Sequence, residues 1–124
     1  MQIDELRDFC MEKKGVTEHF PFDKVTLVFK VMGKMFALVG LDSWEQGVQK
    51  INLKCDPEWA EELRGEHEGV NPGWHMNKRL WNTVTVNDSD VLDTLLIKLI
   101  NHSYDLVVEG LTKKLREALN HSSK

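Results

Sequence analysis

Apolar residues recur along the first half of the chain with spacings that predict one helix followed by three strands. Helical spacing of the apolar side chains over residues 3–14 predicts an amphipathic helix. Residues 25–32 and 35–41 are rich in β-branched and aromatic side chains, which favour strands. A two-residue type II′ turn, with Gly33 at its first central position, is predicted to join them. Alternating apolar and polar residues over 48–54 predict a third strand with one buried face.

The second half of the chain contains clear helix starts and one further strand. Asp56 suits the N-cap position of a helix because its carboxylate can accept from unpaired backbone amides. Residues 81–86 predict a fourth strand, and the polar run 87–90 is typical of the start of a long helix. Weak helix formers at 101–103 predict a kink or a break in that helix. Thr112 suits the N-cap of a short last helix.

The order of these elements is helix, three strands, helix, strand, and one or two final helices. Consecutive strands with helices around them favour an α+β fold, in which helices pack on an antiparallel sheet. The 124 residues are about one domain's worth, and no repeat or low-complexity tract divides them. We therefore expect a single domain over residues 1–124.

Composition narrows the class of protein without identifying it. The fractions of hydrophobic (41%) and charged (29%) residues are typical of a globular protein, and the net charge of −4 excludes one that coats nucleic acid through its overall charge. The pattern predicts no signal peptide, and no apolar run approaches the roughly 20 residues that a membrane span requires. Cys10 and Cys55 form no CxxC pair, so we expect reduced thiols in a cytoplasmic protein.

Charge is distributed unevenly between the predicted elements. Residues 22–54 and 70–86, which contain the predicted strands, have a net charge of +4, whereas the rest of the chain has −8. Simple solvation of each surface is one explanation, since lysines are common on exposed strands. The functional interpretation is a local anion-binding face, with acidic helices turned away from a polyanion.

The least generic stretch lies between the second helix and the fourth strand, and it combines aromatic, cationic and amide side chains. Lys78 and Arg79 suit phosphate contacts. Trp74 can stack on a base, while His75 and Asn77 can hydrogen-bond to base edges or sugars. The structural alternative is an ordered loop whose tryptophans enter the core and whose asparagine caps a turn.

Three stretches of the chain carry a family resemblance: Pro72-Gly73-Trp74-His75-Met76-Asn77-Lys78, Trp81-Asn82-Thr83-Val84 and Ser103-Tyr104-Asp105-Leu106-Val107-Val108. They resemble characteristic regions of the MmcQ/YjbR family of small bacterial proteins, although Trp74 stands where that family often has tyrosine. The resemblance implies an α+β fold described as CyaY-like, with a double-wing arrangement in which β-hairpins flank a helix. It also implies DNA binding, a label that members commonly carry.

Sequence patterns for catalysis are not found in the chain. It contains no GxSxG, no HExxH and no glycine-rich phosphate loop ending in GK[ST]. His67 and His75 do not lie in a recognised metal-ligand spacing. We therefore expect a protein that is not an enzyme and uses no cofactor or metal ion.

The leading hypothesis is a DNA-binding module with duplex DNA as its partner and a monomer as the favoured state. The expected phosphate contacts are Lys34, Lys50, Lys54, Lys78 and Arg79, and the expected base contacts are Trp74, His75 and Asn77. Two alternatives remain open, both using the segment from Trp74 to Arg79: a protein-interaction or regulatory module, and a small-anion-binding protein. The discriminating observation is whether Lys50, Lys54, Lys78 and Arg79 share one exposed face.

Overall fold

One antiparallel sheet and a set of helices make up the fold. The computed structural model describes residues 1–73, 76–87 and 89–121. In chain order the elements are α1 (Ile3–Met11), β1 (Val16–His19), β2 (Thr26–Val31), β3 (Lys34–Gly40), α2 (Leu41–Glu45), β4 (Lys50–Lys54), α3 (Pro57–Glu66), β5 (Val70–Pro72), β6 (Trp81–Thr85), α4 (Asp93–Glu109) and α5 (Lys113–Asn120). The predicted α+β class, with helices packed on an antiparallel sheet, is confirmed.

The sheet has two strands more than the sequence pattern predicts. Its strand order is β1-β2-β3-β4-β6-β5, so the unpredicted strands β1 and β5 form the two edges. They have only four and three residues. Such short segments offer too few positions for alternation to be recognised.

The β2–β3 hairpin turns one residue earlier than predicted. Met32 and Gly33 occupy the two turn positions with φ angles of 50° and 83°, and Lys34 already pairs with Val31. Positive φ at both positions is the type I′ geometry, so the type II′ prediction is wrong. Glycine adopts this left-handed conformation at little cost, which suits Gly33 to the second turn position rather than the first.

The main hydrophobic core lies on one side of the sheet. Alternate strand residues such as Phe29, Val39 and Ile51 contribute to it, and Leu96 and Ile100 of α4 pack against them. Helix α4 lies against β2, β3 and β4, while α1 lies against β1 and α3 against β5. Within the described ranges, none of the helices combines the length and apolar character needed to cross a membrane.

Helix α4 begins at Asp93 rather than at the polar run 87–90, so that predicted start is wrong. Asn87 and Asp90 instead accept hydrogen bonds from backbone amides of two other loops, at 3.1 and 3.0 Å. The same capacity to bind backbone amides that makes these residues good helix caps is therefore used to join loops.

The three weak helix formers in the middle of α4 do not break it, because the helix is continuous from Asp93 to Glu109. Ser103 Oγ donates to the carbonyl of Phe36 at 2.6 Å and accepts from the amide of Lys54 at 2.9 Å. His102 Nε2 accepts from the amide of Asp56 at 3.1 Å. These side chains tie the helix to the sheet, and such tertiary contacts override weak local propensity.

Candidate nucleic-acid interface

The side of the sheet opposite the main core forms a second surface, which we call the open face. Directly paired residues of neighbouring strands share a face, so the register assigns its side chains. In the four central strands they are Thr26, Val28, Lys30, Met35, Leu38, Lys50, Asn52, Lys54, Trp81, Thr83 and Thr85. Every buried apolar residue of the described helices belongs to the main core on the other side. The open face is therefore not packed against a helix.

The open face carries cations, and the strands contribute no carboxylate to it. Lys30, Lys50 and Lys54 lie there by register. Within the six described strands the one acidic side chain is Glu18, which binds Arg7 of α1 on the helix side at 2.6 Å. Helices α1, α3 and α4 carry ten acidic side chains against three from Lys and Arg. The strands therefore place three lysines and no carboxylate on the open face, whereas α1, α3 and α4 on the other side of the sheet are acidic.

A cavity of about 770 Å³ opens on the open face. Phe22, in the loop between β1 and β2, stands at its border. Its polar lining includes Lys50, Asn52, Asn71 and Thr83, and the hydroxyl of Thr83 donates to Oδ1 of Asn52. Among the described residues that line the cavity, one is cationic and none is acidic.

The segment between β5 and β6 crosses one end of the open face and covers part of its apolar surface. Met76 and Leu80 of this segment pack against a small cluster formed by Val28, Leu38 and Trp81. Trp81 is only 8% exposed, in agreement with the structural interpretation of that tryptophan. The cavity lies beside this covered end and also touches Met76.

Arg64 of α3 fixes this crossing segment. Its Nε donates to Oδ1 of the buried Asn82 at 2.7 Å. Its guanidinium also donates to the carbonyl oxygens of Lys78 and Trp81. One side chain therefore holds both the segment and the start of β6.

The three predicted strand lysines do not share one face. Lys50 is exposed and Lys54 half-buried, and both lie on the open face. Lys34 pairs with Val31, whose side chain is part of the main core, so the register places Lys34 on the helix side. The structure thus brings together two of the three and separates the third.

The structure describes three of the five predicted residues of the distinctive segment: Asn77, Lys78 and Arg79. Lys78 and Arg79 are exposed, and Lys78 Nζ donates to a backbone carbonyl of the same segment at 3.4 Å. Oδ1 of Asn77 accepts from the amide of Arg79 at 3.0 Å, so this asparagine caps a turn. That contact favours the structural interpretation of Asn77 over a base contact. Trp74 and His75 lie outside the described residues.

Sequence reasoning missed five side chains of the open face and its cavity: Phe22, Lys30, Asn52, Asn71 and Thr83. Alternation carried a signal for three of them, because Lys30, Asn52 and Thr83 have opposite parity to the core residues beside them in the predicted strands. Asn71 reaches the cavity through the pairing of β5 with β6, and the sequence pattern does not indicate β5.

Neither a metal site nor a reactive thiol is indicated in the part of the chain that the structure describes. No group of three or more His, Cys, Asp or Glu side chains there is placed to hold a metal ion. Cys10 and Cys55 are buried and unpaired with each other, and burial raises the pKa of the Cys10 thiol to about 12 and that of Cys55 to about 11. Both thiols stay protonated near neutral pH, so neither supplies a thiolate nucleophile.

Sequence comparison relates the chain to a family and to proteins of Escherichia coli. The family model described as YjbR matches residues 11–106. The uncharacterized protein YjbR of strain K12 is 34% identical over 119 residues, which cover 96% of this chain and 98% of that protein. The uncharacterized protein YbdF of strain O157:H7 is 40% identical over 95 residues, covering 77% of this chain and 75% of that protein.

Solved structures share the fold. The crystal structure of Deinococcus radiodurans protein DR2400, with domain DUF419, matches with a TM-score of 0.85 and 43% identity, covering 96% of this chain and 88% of that chain. A protein from Pseudomonas syringae, target PsR293, matches with a TM-score of 0.72 and 28% identity, covering 86% of this chain and 98% of that chain.

Proposed function

The chain belongs to the YjbR family, and we propose that this member binds DNA through the open face of its sheet. The observation that carries the proposal is the placement of charge. Lys30, Lys50 and Lys54 lie on the open face, to which the strands add no carboxylate. Such a surface attracts phosphate groups, and most of the acidic helices lie on the other side of the sheet, where they repel the polyanion least.

Lys78 and Arg79 extend this charge beyond the strands. Both are exposed on the segment that crosses the open face, and Arg64 holds that segment on the sheet. We assign phosphate contacts to Lys78 and Arg79, because contacts of this kind fix the position of a protein on nucleic acid without reading its sequence. Lys34 is left out of the interface, since it lies on the helix side.

The expected affinity is modest. The whole chain has a net charge of −4, so long-range attraction is weak, and only a few cations face the ligand. Counterion release dominates binding of this kind, so the affinity falls steeply as the salt concentration rises. We expect a Kd on the order of micromolar at low ionic strength.

We assign the protein a non-enzymatic role in the cytoplasm. The buried, unlinked thiols of Cys10 and Cys55 fit a reducing compartment, where disulfides are rare. The double-wing arrangement belongs to the same proposal, and in the sheet the β2–β3 hairpin and the β5–β6 pair lie on either side of β4.

The test is a fluorescence anisotropy titration of labelled DNA at several salt concentrations. The double variant Lys50→Glu/Lys54→Glu reverses two charges of the open face and is expected to bind about tenfold more weakly or worse. Its plot of log affinity against log salt is expected to be shallower by about two, one for each lost phosphate contact.

A matched control separates local charge from total charge. Lys113→Glu/Lys114→Glu makes the same change in net charge at two exposed positions of α5, whose Leu119 belongs to the main core. We expect this control to bind within about twofold of the wild type. Absence of binding by the wild type at low salt, or equal losses in the two double variants, would overturn the proposal.

A further inference from the structure

We propose that the cavity of the open face takes one unpaired nucleotide of a single-stranded chain, an inference that rests on the proposed binding of DNA. The cavity volume of about 770 Å³ is in the range that encloses small molecules. A stacked and paired base cannot enter a concave site without being flipped out of the duplex, whereas a base of a single strand can. Shape alone therefore favours single-stranded over duplex DNA.

The charge of the lining matches a nucleotide. Lys50 is the one charged side chain among the described lining residues, and it borders the cavity from β4. The remaining polar groups are amides and hydroxyls. A nucleotide has the same division, with an uncharged base and a single anionic phosphate group to the side.

The amide side chains are held in place for hydrogen bonding to a base edge. Oδ1 of Asn52 accepts from the hydroxyl of Thr83, and Nδ2 of Asn71 donates to the carbonyl of Glu68 at 3.2 Å. Each amide combines donor and acceptor groups, as the edges of bases do. Fixing an amide before the ligand arrives lowers the entropy that is lost on binding.

Phe22 supplies an aromatic ring at the border of the cavity. Phe22 is 64% exposed and lines the cavity, so its ring is accessible to a ligand that enters there. The loop that carries it is ordered by Asp23, whose Oδ1 accepts from the amides of Val25 and Thr26 at 2.9 and 2.6 Å. An exposed ring on a fixed loop beside an open sheet is a stacking platform for a base.

The experiment compares a labelled single strand of about 12 nucleotides, the matching duplex and free adenosine monophosphate as probes. We expect the single strand to bind at least about tenfold more tightly than the duplex, and far more tightly than the mononucleotide. Phe22→Ala is expected to weaken single-strand binding about tenfold and to leave duplex binding unchanged. Phe20→Ala is the matched control, because this neighbouring phenylalanine is also exposed (49%) but does not line the cavity.

The outcomes separate this inference from the proposed function. Equal affinity for single strand and duplex, together with equal effects of Phe22→Ala and Phe20→Ala, would overturn the nucleotide site. In that case a loss of binding in Lys50→Glu/Lys54→Glu would still support the charged interface. Mononucleotide binding as tight as that of the strand would overturn the commitment to a chain. Thermal melting of both phenylalanine variants checks that they are folded.

Discussion

The two sides of the sheet use polar side chains in different ways. On the helix side, polar groups bind the backbone of the protein itself, as Ser103 does with Phe36 and Lys54. On the open face, Lys50 and Asn52 line a cavity large enough for a ligand. Polar residues behind the sheet therefore stabilise the fold, whereas those in front of it contact a partner in the function that we propose.

An antiparallel sheet can be stable with only one of its faces buried. The open face can therefore remain without a covering helix, because the main core buries the other face. The main core includes residues from all five described helices. The described residues that pack against the apolar cluster of the open face are Met35 of β3 and Met76 and Leu80 of the segment between β5 and β6. Substitutions on the helix side should therefore change stability, and those on the open face should change binding.

The largest expected effect is that of Phe36→Ala. Phe36 is fully buried in the main core and meets the ring of Tyr104 edge to face, with 5.5 Å between ring centroids. Its truncation is expected to lower the free energy of unfolding by about 3–5 kcal/mol, because it removes apolar burial and leaves a cavity. Urea unfolding followed by circular dichroism measures this loss.

Phe22→Ala is the control from the other face. Because the side chain is largely exposed, its removal is expected to change the free energy of unfolding by less than about 0.5 kcal/mol. If Phe22→Ala destabilised the protein as much as Phe36→Ala, the open face would be a second structural core and its separation from the helix side would fail.

The same contrast shows what sequence patterns could predict. Apolar periodicity identified the α+β class and the four longest strands, because each of these has enough positions to reveal a period. Capping residues located the start of α3, where Oδ2 of Asp56 accepts from the amide of Trp59 at 3.2 Å. Periodicity failed at β1 and β5, which are short. The capping pattern failed at 87–90, where Asn87 and Asp90 bind distant loops instead of capping a helix.

The candidate site was less predictable than the fold. Lys50 and Lys54 follow from strand parity, but Lys34 was assigned to the same surface because the turn was expected one residue later. The cavity depends on which strands are neighbours, and the order β4-β6-β5 brings Asn52, Thr83 and Asn71 together across three strands. A local sequence pattern does not predict which distant strands will pair.

The next effect concerns Arg64, which links the helix side to the segment over the open face. Arg64→Met keeps the aliphatic stem but removes the donors to the buried Asn82 and to two carbonyls. We expect a loss of about 2 kcal/mol in the free energy of unfolding, since Oδ1 of the buried Asn82 is left without its donor. Hydrogen exchange is expected to become faster at Leu80 and Trp81, whose amides bond within the segment.

Arg7→Met is the matched control for this prediction. Arg7 binds Glu18 in an exposed ion pair at 2.6 Å, and exposed pairs contribute little to stability. We expect a smaller loss than for Arg64→Met and unchanged exchange at Leu80. Equal losses would mean that Arg64 acts only as a surface charge and does not anchor the segment.

The smallest effect is a dependence of stability on pH that originates on the helix side. Burial is the main cause that lowers the pKa of His102 below its ordinary value of 6.5, although Asp56, Asp105 and Glu109 act in the opposite direction. The neutral ring accepts from the amide of Asp56 and meets Trp59 edge to face. The unfolded chain therefore takes up a proton at a higher pH than the folded chain does. The free energy of unfolding should accordingly fall as the pH drops below about 6.5.

Urea unfolding at about pH 7.5 and about pH 5.5 measures the contribution of His102 to this fall. His102→Gln keeps an acceptor near the amide of Asp56 but cannot take up a proton, so its stability should depend less on pH than that of the wild type. The exposed His121→Gln is the control and should retain the wild-type dependence. If the two variants respond alike, the acid sensitivity does not arise where α4 meets the sheet.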